Sequence, residues 1–69
     1  MITLKVELDK EVDGRWIAEV PDLPGVMSYG RSPEEARAKV QALALRVVAD
    51  RLENGESGTE LLTITFAPA

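Results

Sequence analysis

The sequence contains neither cysteine nor histidine among its 69 residues. Without cysteine the chain can form no disulfide and no thiolate metal site. Without histidine it lacks the commonest metal ligand, the usual general base and every Ser-His or Cys-His nucleophile pair. We therefore expect no catalytic, metal or cofactor site, and these absences favour a binding module over an enzyme.

Basic residues are also few, since eight Lys and Arg stand against twelve Asp and Glu, for a formal net charge of −4. Nucleic-acid binding requires a clustered basic surface, so we expect no direct contact with nucleic acid. A basic protein partner suits this charge better. Residues 1–5 lack the apolar core of a signal peptide, and no apolar run approaches a membrane span. We therefore expect a cytoplasmic protein without a membrane partner.

The length of the chain allows a single domain over residues 1–69. A domain of this size buries only about 60% of the surface that its unfolded chain exposes. With no disulfide or metal to add stability, self-association is the remaining route. We therefore predict a homo-oligomer, most simply a dimer.

Alternating apolar and polar residues predict the first two strands. The alternation runs over residues 2–9, and Asp13-Gly14 marks a hairpin turn before a return strand over residues 16–20. A two-residue loop would place Leu8 opposite an acidic side chain and mix the two faces. A three-residue loop ending at a left-handed Gly14 instead pairs Leu8 with Ala18, so we predict the longer loop.

A proline-rich segment follows this hairpin. Pro21 and Pro24 remove backbone donors, so the chain between them cannot continue the sheet as a central strand. Gly25 permits the chain to turn back, and residues 26–29 then read as a short third strand that ends at Gly30.

A strong helix start follows. Ser32 can cap the N–H of Glu35, Glu35 can reach back to the N–H of Ser32, and Pro33 suits the first helical position. This capping box accounts for Ser32 without a ligand. We predict a helix from Pro33 to about Asn54, stopped by Gly55.

The predicted helix has two apolar stripes, at 100° per residue. The stripe that we expect to cover the sheet comprises Ala36, Val40, Leu43, Ala44 and Val47. The stripe roughly opposite, with Val48 between the two, comprises Ala38, Ala42, Leu45, Ala49 and Leu52. A helix on one sheet needs only the first stripe, so we predict that the second is an oligomer interface. The alternative is that alanine is simply a good helix former on a tolerant surface.

A polar loop over residues 56–60 and a last strand over residues 61–66, before a Pro68 tail, complete the pattern. The order β-β-β-α-β predicts an α+β fold, with one small mixed sheet and a single long helix on one face. The last strand should return parallel to the first and beside it, by a right-handed crossover.

Several short motifs follow one another at a distinctive spacing. An Asp-Gly turn precedes WIAEVPDLPG at residues 16–25, then Tyr29-Gly30, and then Ser32 before Glu34-Glu35-Ala36. In this order they resemble the HicB-like antitoxin family, from the second strand through the helix. The family often has a cysteine where this chain has Val26. Its longer members add a C-terminal DNA-binding domain, whereas this sequence stops at Ala69.

The resemblance implies a reduced ribonuclease H-like fold and a binding function. A HicB-like module would neutralise a small basic HicA-type toxin, which cleaves messenger RNA, by occluding its RNA-binding surface. The alternative is a stand-alone oligomeric domain with a structural or regulatory role and no toxin partner. The two prolines preorganise the loop for a partner, and the predicted contact residues are Pro21, Asp22, Leu23, Pro24 and Tyr29.

Paired carboxylates offer one competing interpretation. The predicted register places Glu7 opposite Glu19 on the face away from the helix, with Asp9 nearby. Strand carboxylates hold magnesium in ribonuclease H folds, which the HicB-like fold is similar to, so a metal-dependent nuclease ranks third. Lys5 and Arg15 could neutralise the pair without a metal, and we interpret these carboxylates as a solvated face.

Overall fold

A computed structural model describes residues 2–55 and 64–68 of the chain. Its elements in chain order are β1 (Ile2–Lys10), β2 (Trp16–Glu19), β3 (Met27–Gly30), α1 (Pro33–Glu53) and β4 (Ile64–Pro68). The predicted α+β class and element order are confirmed. The polar loop predicted over residues 56–60, and residues 61–63 of the predicted last strand, lie outside the described residues.

The strands form one mixed sheet in the order β3-β2-β1-β4. The pairs β1–β2 and β2–β3 are antiparallel, and β4 lies beside β1 and parallel to it, as predicted. The predicted Pro68 tail is wrong, because Pro68 belongs to β4 and is aligned with Val6. Proline is compatible with this position because β4 is an edge strand.

The first hairpin has the register that the apolar alternation predicts. Leu8 is opposite Ala18, so apolar side chains of both strands share the face that carries the core. The loop is closed by the N–H of Gly14, which donates to the carbonyl of Glu11 at 3.0 Å, and Gly14 has a φ of 91°. A left-handed residue at the end of a three-residue hairpin loop is the geometry that glycine permits without strain.

Helix α1 packs mainly against β3 and β2. Its fully buried side chains recur every fourth residue: Ala36, Val40, Ala44 and Val48. Val48 therefore belongs to the core, whereas Leu43 and Val47 of the predicted stripe are only partly buried at its flank. Four residues turn a helix by about 400°. A line through every fourth residue therefore shifts by about 40° around the helix axis from one residue to the next. This shift brings Val48 to the face of α1 that packs on the sheet.

Gly30 lies at the closest approach between the sheet and the helix. It is the last residue of β3 and is opposite Trp16, so the strand includes the glycine that we expected to follow it. A Cβ at this position would stand 2.5 Å from the backbone nitrogen of Ala36. The absence of a side chain is therefore what lets the first turns of α1 lie directly on β3.

The helix begins with the predicted cap. The Oγ of Ser32 accepts a hydrogen bond from the N–H of Glu35 at 3.1 Å. The carboxylate of Glu35 accepts from the N–H of Arg31 at 3.2 Å, one residue further back than the capping box predicts. This N–H, together with Lys39 at 3.4 Å, holds the pKa of Glu35 below its ordinary value of 4.5.

We expect Ser32→Ala to lower the free energy of unfolding by about 1 kcal/mol, because an N–H of the first turn loses its acceptor. Ser32→Asp keeps an acceptor and should retain the stability. Urea unfolding at pH 7 measures both variants, and an unchanged midpoint for Ser32→Ala would contradict the cap.

The lowered pKa of Glu35 predicts that part of the stability of the helix start depends on pH. Its stabilisation should be complete above pH 4.5 and disappear as the pH falls through the lowered pKa.

Candidate functional site

The loop between β2 and β3 consists of two consecutive turns. The N–H of Leu23 donates to the carbonyl of Val20, and the N–H of Val26 donates to the carbonyl of Leu23, both at 3.0 Å. The N–H of Val20 closes the loop by donating to the carbonyl of Val26, also at 3.0 Å. Each turn has proline at its second position, and Gly25, with a φ of 84°, occupies the third position of the second turn. The backbone of this loop is therefore held in one shape.

The structure exposes most of the predicted partner-binding residues but corrects one. Pro21, Asp22, Pro24 and Tyr29 are exposed, whereas Leu23 is only 4% exposed and belongs to the hydrophobic core. Leu23 lies at the junction of the two turns, so its side chain anchors the loop and is not presented to a partner. The other four residues stay candidate contacts.

Tyr29 and Met27 lie on the same face of β3, and Met27 begins the strand that follows the loop. Side chains alternate along a strand, and Gly30 faces the helix, so Tyr29 and Met27 point to the opposite side, here called the outer sheet face. They are 40% and 42% exposed, and Tyr29 is opposite Ile17 in the ladder. Met27 is not among the predicted contact residues, although its position two residues before Tyr29 in the predicted strand indicates that the two side chains share a face.

Arg15 positions the aromatic ring of Tyr29. Its guanidinium lies 4.6 Å from the ring centre, within the range of a cation–π interaction. The Nε of Arg15 also donates to Asp13 at 2.8 Å, so the same guanidinium contacts both Tyr29 and Asp13. The backbone N–H of Arg15, above all, and its guanidinium lower the pKa of Asp13 below 3.8. Arg15, at the end of the first hairpin loop, thus contacts the ring of Tyr29 on the outer sheet face.

The predicted carboxylate pair is present on the same face. Glu7 is opposite Glu19, and Asp9 is opposite Ile17. With Leu8 and Glu11 these residues line an open depression of about 380 Å³. Within residues 2–55 and 64–68, neither glutamate is in an ion pair. Of the two basic residues predicted to neutralise them, Arg15 is paired with Asp13 and Lys5 is in no ion pair. Those same residues contain no group of acidic side chains arranged to hold a metal ion.

We expect the purified chain to cleave neither single-stranded RNA nor DNA when magnesium or manganese is added. A two-metal nuclease needs oxygen ligands that converge on the ions, and a cross-strand glutamate pair on an open face does not supply them. Gel analysis of labelled substrates provides the measurement. Cleavage that disappears in Glu7→Gln and in Glu19→Gln would show that this face is a catalytic centre.

The second apolar stripe of α1 is exposed along its whole length. Leu45 is 46% exposed and Leu52 is 39% exposed, and the three alanines of the stripe are exposed as well. From Ala38 to Leu52 the stripe extends about 21 Å along the helix axis, at 1.5 Å per residue. These side chains therefore form a second candidate contact surface, on the side of the molecule opposite to the outer sheet face.

Comparisons of the chain with protein-family models, with curated proteins and with solved structures found no match. In the two described ranges of the chain, no helix has both the length and the apolar character that crossing a membrane requires.

Proposed function

We propose that this chain is a HicB-like antitoxin module, which binds a small basic HicA-type toxin in the cytoplasm and blocks its cleavage of messenger RNA by occlusion. The observation that carries the proposal is the rigid double-turn loop beside the exposed side chains of Met27 and Tyr29. The order and spacing of the motifs between the Asp-Gly turn and the helix support the same assignment.

The loop and its neighbours have the physical properties of a binding surface. The two prolines and the buried Leu23 fix the loop before binding, so little conformational entropy is lost when a partner contacts it. Tyr29 adds an aromatic side chain with few rotatable bonds, already held by Arg15. Tyrosine side chains of this kind are enriched among the residues that dominate binding energy at interfaces.

The charge of the chain fits a basic partner. A net charge of −4 accelerates the encounter with a positively charged protein, and the acceleration decreases as salt increases. A toxin that binds RNA must present a basic surface to the phosphates. An acidic antitoxin that covers this surface competes with RNA directly and needs no chemistry of its own.

A second candidate function is a stand-alone oligomeric domain without a toxin partner. The exposed stripe of α1 favours it, since such a stripe could join copies of the chain whether or not a toxin exists. The two functions differ in one requirement. The antitoxin needs a small basic protein as its target, most simply one encoded beside its own gene.

The experiment is co-expression of the chain with the small basic protein encoded by the adjacent gene. We expect that protein alone to arrest growth and degrade messenger RNA, and the chain to relieve both effects. The double variant Met27→Ala with Tyr29→Ala should relieve them less, whereas Arg37→Ala on the exposed helix surface serves as the control. The absence of such a gene, or growth arrest that the chain does not relieve, would contradict the antitoxin function.

A further inference from the structure

We propose that the outer sheet face docks a cationic segment of the partner protein, with a Lys or Arg side chain seated between Glu7, Asp9 and Glu19 and an apolar side chain against Met27 and Tyr29. This inference rests on the proposed function and adds the surface that recognises the partner. The loop then lies at the border of the contact, and the centre is the sheet itself.

The first support is the composition of the face. On β2 and β3 it presents the half-buried Ile17 beside Met27 and Tyr29, which are both about two-fifths exposed. On β1 it presents Glu7 and Asp9, with Glu19 across the ladder. An apolar strip beside an acidic strip matches an extended segment that carries an apolar and a basic residue two positions apart, because the side chains of residues i and i+2 point to the same side.

The second support is the state of the two glutamates. Like charges directly opposite each other in a ladder destabilise a sheet. In the described parts of the chain no cation is paired with Glu7 or with Glu19, and the nearby Arg15 is already bound to Asp13 and stacked on Tyr29. The free chain therefore keeps a local repulsion that a cation from another protein would relieve.

The third support is the shape of the depression beside the pair. It is about 380 Å³ in volume, and its lining combines the apolar side chain of Ile17 with the acidic residues of the face. Lys and Arg side chains bind well in such surroundings, since their methylene stems pack on apolar atoms and their charged ends reach carboxylates. A second copy of this chain is a poor occupant, because two identical faces would bring the same acidic strips together.

The test compares two double variants that remove the same charge. Glu7→Gln with Glu19→Gln neutralises the pair on the face, and Glu34→Gln with Glu53→Gln neutralises two exposed carboxylates on α1. Titration calorimetry against the small basic protein encoded by the adjacent gene gives the affinity, and thermal unfolding of each free variant gives Tm. We expect the face variant to bind about tenfold or more weakly than wild type, and the helix variant to bind within about twofold.

The free face variant should also be more stable than wild type, with a Tm higher by about 2–5 °C at low salt, since the repulsion is gone. Weaker binding together with higher Tm supports the inference. If wild type binds the partner and both variants bind it with equal affinity, the outer sheet face is not the docking surface. The antitoxin function would still stand. Stronger self-association of the face variant would assign the face to a second copy and would also overturn the inference. No binding by wild type would instead overturn the proposed function, and the inference with it.

Discussion

Replacing Gly30 by alanine should lower the free energy of unfolding by about 3 kcal/mol, the upper end of the usual cost of overpacking. The added Cβ would stand 2.5 Å from the backbone nitrogen of Ala36 and 3.0 Å from its Cα. Backbone atoms cannot move aside as the end of a flexible side chain can, so α1 must shift away from β3. A domain of 69 residues has a total stability of only about 3–10 kcal/mol.

Thermal unfolding followed by circular dichroism should therefore show a Tm for Gly30→Ala about 12–24 °C below that of wild type. Ser28→Ala, in the same strand, is the control and should change Tm little. The double variant Gly30→Ala with Ala36→Gly distinguishes the cause. It should remain unstable, because the clash is with backbone atoms that Ala36→Gly leaves in place. Full recovery in the double variant, or a wild-type Tm for Gly30→Ala, would contradict this packing.

Introducing glutamate at both Leu45 and Leu52 should convert the predicted homodimer into monomers. Each leucine is about two-fifths exposed in the single chain, and complete burial of a leucine contributes about 1.5–3 kcal/mol relative to full exposure. Two protomers related by a two-fold axis would bury four such side chains, and the exposed alanines between them allow close approach. Glutamates placed in that contact would lose this apolar burial, and their charges would have to be desolvated without a partner.

Sedimentation equilibrium measures this change directly. Arg46→Glu is the matched control, because it alters the net charge by the same amount beside the stripe while leaving both leucines in place. We expect wild type and the control to be dimeric and the double variant to be monomeric, with a lower Tm. A double variant that stays dimeric and equally stable would show that the stripe is ordinary surface and that any association uses another face.

The sheet could be predicted from the sequence because its signals are local and periodic. The period-2 alternation and the Asp13-Gly14 turn together favour the register that keeps Leu8 opposite Ala18, and this register is observed. The parallel return of β4 follows from two antiparallel connections and one long helical crossover. Ser32 and Gly55 likewise mark the two ends of α1 by chemistry that acts within a few residues.

The positions that could not be predicted depend on three-dimensional packing. The loop has no periodicity that would assign Leu23 to a face, and its burial depends on how the two turns fold against the core. Val48 is buried because the contact line rotates as α1 crosses the sheet, which an average stripe does not describe. The stacking of Arg15 on Tyr29 joins the loop of the first hairpin to β3.

The antitoxin function is tested most directly by measuring whether the purified chain inhibits RNA cleavage by the toxin. The small basic protein that the proposed function requires as a partner is held at a fixed concentration well above the dissociation constant, and the initial rate of RNA cleavage is followed as the chain is added. Occlusion predicts that the rate falls linearly and reaches zero at a fixed, whole-number ratio of the two proteins, whereas the Met27→Ala and Tyr29→Ala double variant requires an excess. A cleavage rate that a large excess of the wild-type chain leaves unchanged would contradict the antitoxin function.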